Sequence, residues 1–147
     1  ILKKFLEEPD GWIENKLNSC LVLSCCYQAM GENAAAFDIL FYSFTMDVPR
    51  AEICCEIGRL FMEKREYVTA AYWYQQALLA PRKKKNGGFY IADSHDFIPA
   101  IQMCVCLDKA GRHREAFEFH KKARVLKPLH QAVIGNEKYF RDVWGME

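Results

Sequence analysis

An all-α fold built from stacked antiparallel helix pairs is what this sequence predicts, and three observations predict it. Small residues recur at a fixed spacing: 34 positions separate Ala36 from Ala70, and 46, one such period plus an insertion of 12, separate Ala70 from Ala116. Between the periodic segments stand helix-ending glycines, in Met30-Gly31-Glu32-Asn33 and Lys109-Ala110-Gly111-Arg112. The chain has 147 residues, 51% of them hydrophobic and 27% charged, with only eight Gly and five Pro. That composition supports one buried core and excludes a disordered, collagen-like or low-complexity polypeptide.

Three stretches align in register, residues 17–50, 51–84 and 97–130. The first places Leu23, Ser24, Tyr27, Gly31, Ala36, Leu40 and Ser43 where the second places Ile57, Gly58, Phe61, Arg65, Ala70, Tyr74 and Ala77. The third has Met103, Cys104, Leu107, Gly111, Ala116, His120 and Ala123, and each stretch closes on a proline, Pro49, Pro81 or Pro128. This pattern resembles the tetratricopeptide repeat, with departures at Leu107, at His120 and at Arg65, which stands where glycine often turns the chain. A helix pair cannot bury its apolar face alone, so small residues that admit close helix approach imply stacking into a superhelix.

The elements follow in order. Residues 1–8 read as the end of an earlier helix, stopped by Pro9-Asp10-Gly11, so the sequence reads as excised from a longer polypeptide. Apolar Phe5 and Leu6 are then expected to need cover, and a homodimer through this end or through the groove is expected. Helices are predicted over 13–30, 33–46, 50–64, 67–80, 97–110 and 113–126. Between the second and third pairs, the stretch Pro81 to Asp96, with the insertion at about 83–96, carries Arg82-Lys83-Lys84-Lys85-Asn86-Gly87-Gly88 and then Phe89-Tyr90-Ile91; the glycine pair opposes a helix, and the stretch reads as a loop with a short extended segment. A last helix, about 130–144, offers Val133, Ile134, Tyr139, Phe140 and Val143 to cap the exposed core of the third repeat.

Twenty Lys and Arg against nineteen Asp and Glu leave a net charge of +1, so no global field draws the chain to nucleic acid or to an anionic membrane. No apolar run reaches the length of a membrane span, and the expectation is a cytoplasmic protein. The seven cysteines include adjacent pairs, Cys25-Cys26 and Cys54-Cys55, and read as reduced thiols that serve as small hydrophobes in the first helix of each repeat. No phosphate-binding, dinucleotide-binding, nucleophile-elbow or zinc-protease motif occurs, so no catalytic residue, cofactor or metal ligand is assigned. One polar cluster, Asp93-Ser94-His95-Asp96, admits two readings: an acid/base or metal centre, or a loop in which Asp96 caps the helix that opens at Phe97. Tyr72-Trp73-Tyr74 likewise reads as a stacking platform or, at this spacing, as core for Trp73 and Tyr74.

Tetratricopeptide arrays bind on the concave face made by their first helices, and by register that face carries Asn18, Leu21, Cys25 and Gln28, then Glu52, Cys55, Arg59 and Met62, then Ile101, Val105 and Asp108. Leu21 and Cys25 occupy the places where chaperone-binding arrays hold a Lys and Asn clamp, which argues against chaperone-tail binding.

A narrower likeness lies outside the generic repeat. Phe5-Leu6 with Gly11-Trp12-Ile13-Glu14-Asn15, the junction Asp47-Val48-Pro49-Arg50-Ala51-Glu52, Trp73-Tyr74, Phe97-Ile98-Pro99-Ala100-Ile101-Gln102 and Asn136-Glu137-Lys138-Tyr139-Phe140 resemble the helical tail of bacterial family-2 glycosyltransferases. The resemblance implies a preceding nucleotide-sugar-binding domain with an Asp-x-Asp metal motif, which this chain does not contain. It further implies a non-catalytic module that positions a protein or peptide acceptor, or assembles the enzyme by self-association. The alternative is a free-standing adaptor with no transferase domain. Independently of any family, Arg50 is expected to pair with a neighbouring carboxylate, a structural duty preferred over the alternative of direct ligand contact.

Overall fold

The computed structural model describes residues 2–7, 12–82 and 90–147, with the side chains of Phe5 and Glu7 left aside. The described residues are 79% helical, with eight α-helices and no strand. These are α1 (Leu2–Glu7), α2 (Ile13–Ala29), α3 (Asn33–Tyr42), α4 (Ala51–Glu63), α5 (Tyr67–Leu79), α6 (Phe97–Lys109), α7 (His113–Leu126) and α8 (Gln131–Trp144). Consecutive helices pair as α2–α3, α4–α5 and α6–α7, and α5 packs on α6 to join the second pair to the third. No helix among the described residues is long and apolar enough to cross a membrane.

The 34-residue register acquires its physical meaning at the helix crossings. Ala36, Ala70 and Ala116 are all fully buried, as are Ala77 and Ala123. In two of the pairs, the small residue of the first helix lies close against the second helix. Gly58 lies so close to the ring of Tyr74 that an added Cβ would stand 2.9 Å from it. Ser24, at the same place in the first pair, donates its hydroxyl proton to the Ala36 carbonyl at 3.1 Å. Each large side chain so buried contributes about 1.5–3 kcal/mol. Helix α4 is covered nearly all round, with Ile53, Cys54, Ile57 and Leu60 buried, because neighbours pack on every side of it.

The three helix-pair turns share one geometry. Gly31, Arg65 and Gly111 have φ of 75°, 59° and 83°, and each begins a C-terminal cap closed by the next amide, such as Glu66 N–H to Phe61 O at 3.0 Å. Arg65 therefore holds a left-handed backbone that favours glycine.

Three expectations are refined or corrected. The helix predicted over 33–46 ends its α-helical part at Tyr42 and continues as a 3-10 turn, Ser43–Thr45. Ser43 and Thr45 donate their hydroxyls to the carbonyls of Leu40 and Tyr42, at 2.6 and 2.8 Å, and so compete with the α-helical ladder. In the insertion, expected as a loop with a short extended segment, Ile91 is extended and a 3-10 turn, Ala92–His95, follows it; Lys83 to Phe89, with most of the basic run and the glycine pair, lie outside the described residues, as do Pro9-Asp10-Gly11. Leu6 is not left bare: α1 packs on α2 and Leu6 is buried.

Candidate functional site

The first helices lie side by side, and their facing side chains form the surface on which sequence register places the candidate residues. Arg59 of α4 reaches Gln28 of α2 and Glu56 and Glu63 of its own helix, while the Gln28 amide donates to Glu56 Oε1 at 3.1 Å. Burial alone would push the Glu56 carboxyl up, but the hydrogen bonds from Arg59 and Gln28 prevail and hold it below the usual carboxylate range. Hydrogen bonding to Glu56 correspondingly raises Arg59. Gln28 and Arg59 are thus brought together, and they lock α2 to α4. Asn18 and Cys25 are exposed on α2; Leu21 is half-buried in the core of the first pair, and Met62 is half-buried against the central core.

Glu52 and Cys55 are on this face but not open to a partner, because the insertion lies over them. The Ile91 amide donates to Glu52 Oε2 at 2.6 Å, His95 Nε2 stands 3.4 Å from the same oxygen, and the Cys55 thiol donates to the Ser94 carbonyl at 3.4 Å. Glu52, Cys55, Ser94 and His95 are all buried. Tyr90 stacks on His95 with ring centroids 4.7 Å apart. Sequence register alone could not reveal this cover, because the insertion interrupts the period.

The same contacts show how the polar cluster is engaged. Asp93 accepts from Lys127 Nζ at 2.6 Å, His95 turns to Glu52, and Asp96 accepts from the Phe97 amide at 2.5 Å and from Arg82 at 3.0 Å. The side chains diverge to separate partners, and Asp96 is the helix cap. Among the described residues no group of three or more His, Cys, Asp or Glu converges in a way that could hold a metal ion. Trp73 packs against Phe41 and Phe44, and Tyr74 is buried, whereas Tyr72 is exposed.

At the far end of the face, α6 and α8 enclose a cavity of about 180 Å³ lined by Val105 and Asp108, both candidates, with Cys104, Asn136, Tyr139 and Phe140. Ile101, one turn before Val105, is buried in the core instead. Asp108 accepts from Tyr139 OH at 2.8 Å and lies 2.6 Å from His113 Nδ1, and His113 stacks on Trp144 at 3.9 Å. Asn136, Tyr139 and Trp144 belong to α8 and were missed as site residues, because α8 reads from sequence only as a cap. That role also holds: Phe140 is buried beside Phe117, and Glu137 bonds both His120 and Arg124. His120, a departure from the usual aromatic, therefore keeps the ring and adds a polar link to α8.

All seven cysteines are free thiols on α2, α4 and α6. Cys20, Cys54, Cys55, Cys104 and Cys106 are buried, and burial pushes Cys20 up to about 11 and Cys104 and Cys106 up to about 12, so these remain protonated and unreactive. Cys25 and Cys26 depart from the expected pattern, being exposed.

Neither a family model nor a curated protein matches the sequence. Among solved structures, the chain is similar to the crystal structure of MamA, a tetratricopeptide-containing protein, with a TM-score of 0.64 and 23% identity over 96% of this chain and 77% of MamA. That likeness, the 34-residue register and the repeated turn geometry together make the fold a tetratricopeptide-type helical superhelix.

Proposed function

We propose that this chain is a non-catalytic protein-interaction module whose partner engages the face formed by the first helices. The observation that carries the reading is the division of that face. Its middle is filled by the chain's own insertion on Glu52 and Cys55, whereas the end bounded by α6 and α8 holds an open cavity with Val105 and Asp108 on one wall and Asn136 and Tyr139 on the other. A cavity combining apolar walls with a few placed polar groups suits a side chain presented by a protein or peptide ligand.

The finer part of the proposal is that the module serves a family-2 glycosyltransferase, positioning its acceptor or assembling the enzyme. What supports it is the sequence resemblance, several of whose residues hold the fold together: Arg50 with Glu14, Glu52 with the insertion, and Asn136, Glu137, Tyr139 and Phe140 in docking α8. A free-standing adaptor is the second reading, which the tetratricopeptide-type fold supports equally well. The sequence upstream of Ile1 in the gene separates these two.

The interaction reading is tested by capture from source-cell lysate with the domain and with its Val105→Glu variant, both checked for folding by circular dichroism. A partner retained by the native domain and lost by the variant is expected. A partner held equally by both would refute the α6–α8 end as the binding face.

A further inference from the structure

The register that aligns the repeats also aligns the junctions between consecutive first helices, so these can be compared place by place. At the first junction, Gln28 of α2 meets Glu56 and Arg59 of α4. The same places at the second junction, α4 against α6, hold Met62, Gln102 and Val105, and at the third, α6 against α8, they hold Asp108, Asn136 and Tyr139. One guanidinium ties the first junction together: Arg59 donates to the Gln28 carbonyl oxygen across it and to Glu56 and Glu63 on its own helix. The second junction is apolar at two of the three places. The third keeps acceptors, with Asp108 for Gln28 and Asn136 for Glu56, but has a phenol, Tyr139, where the guanidinium was.

It is at this third junction that the inner-face cavity lies, and its volume is about 180 Å³. Small-molecule sites run to about 300–1,000 Å³, so this one suits a single side chain better than a whole small ligand. Asp108 accepts from the Tyr139 hydroxyl at 2.8 Å and lies 2.6 Å from His113 Nδ1, and no Lys or Arg pairs with it among the described residues. A carboxylate has lone pairs for more donors than these two. Its side chain is 17% exposed, so a charge brought to it is screened less than at the open surface. The Asn136 amide N–H is turned to the Cys104 sulfur at 3.7 Å, which leaves its carbonyl oxygen as a second acceptor in the lining. Val105 and Phe140 add apolar wall. The opposing charge in the lining is Lys109, exposed at the rim, and it occupies the place at which Glu63 completes the grip on Arg59.

We propose that the α6–α8 cavity seats an arginine side chain of a partner protein, its guanidinium donating to Asp108 and to the Asn136 carbonyl as Arg59 donates to its acceptors at the first junction, and its stem lying along Val105 and Phe140. The proposal rests on the inner-face reading given above and adds the chemistry of the residue that enters. Arginine is selected over lysine because its planar fork serves acceptors on two different helices at once, whereas an ammonium is a point charge.

The test titrates the whole isotope-labelled chain with Ala/Gly-rich peptides that differ only in one central residue, Arg, Lys, Gln or Glu. The resonances read by NMR are the Asn136 side-chain amide and the Trp144 indole, which bonds Tyr139 at 3.1 Å. The Arg peptide is expected to shift both and to bind about fivefold tighter than the Lys or Gln peptide. Asp108→Asn should weaken it about fivefold, and Lys109→Glu, a substitution at the exposed rim, should tighten it about twofold while leaving the Gln peptide unchanged. Equal affinity of the Arg peptide and either the Lys or the Gln peptide, or an Arg affinity indifferent to both variants, would overturn the arginine seat and leave the inner-face reading standing. So would the failure of every peptide to move these resonances while Val105→Glu still abolishes capture of a partner. If no peptide moves them and capture survives Val105→Glu, both the seat and the inner-face reading fall.

Discussion

Gly58 is the residue at which helix propensity and packing oppose each other most directly, and Gly58→Ala measures the balance. In a helix interior, alanine is favoured over glycine by about 1 kcal/mol. Against this, the new Cβ would stand 2.9 Å from Cε2 and Cζ of Tyr74. Tyr74 is 1% exposed, so its ring has no free space to swing into, and overpacking of this kind costs about 2–3 kcal/mol. The net expectation is a loss of about 1–2 kcal/mol, a fall in Tm of roughly 2–8 °C at this chain length. Tyr74→Leu installs the residue found at the equivalent place of the first repeat, Leu40, and removes the obstacle. In that background Gly58→Ala should stabilise by about 1 kcal/mol, so the double-mutant cycle should show a coupling of about 2–3 kcal/mol. Urea denaturation followed by far-UV circular dichroism measures all four proteins. A Gly58→Ala protein more stable than the native one, or a coupling below about 0.5 kcal/mol, would refute the argument that register is enforced by this contact.

Other perturbations have equally definite expectations. Arg50 is 7% exposed and bonds both oxygens of Glu14, at 2.8 and 2.9 Å, as well as Asp47, so Arg50→Ala should cost about 3–5 kcal/mol in urea midpoint experiments, and a cost below about 1 kcal/mol would show that these carboxylates find water instead. Arg65→Gly should stabilise by about 1 kcal/mol by relieving the left-handed backbone, less what glycine adds to the entropy of the unfolded chain; calorimetry showing a lower Tm would contradict it. The Glu56 carboxyl titrates below its ordinary value of 4.5 in the folded protein, so the unfolded chain binds the proton more tightly. Its contribution is therefore complete above about pH 5 and lost as the pH falls through the folded value, and Glu56→Gln should flatten the acid limb of a stability-against-pH curve.

Much of the architecture is legible because the signals are local. The alanines at Ala36, Ala70 and Ala116, the turn glycines Gly31 and Gly111, and the prolines Pro49 and Pro128 each act within a turn or two of helix, and the helices they delimit lie within a few residues of their expected bounds. Arg65 shows the limit of residue identity: it adopts the glycine geometry because the surrounding helix pair dictates it. The candidate face was legible as a set of positions, since positions 34 apart on first helices fall on one side. Its state was not. Glu52 and Cys55 look the same in sequence as Gln28 and Arg59, but the first two are covered and the second two form a bridge.

The sequence by itself determined the all-helical class, the 34-residue register and the expectation that Arg50 is paired, and it offered Asp96 as a helix cap beside another reading. These follow from periodicity, backbone preference and the cost of burying an unpaired charge, all of which act on nearby residues or on residue type alone. The tertiary structure decided which carboxylates receive Arg50, that residues 90–96 lie over the middle of the inner face, and that α8 closes a cavity against α6. Apart from Asp47, which lies three residues before Arg50, each of these joins side chains about thirty or more residues apart, or from helices whose relative placement no local rule fixes, and only the assembled packing brings them within reach of one another.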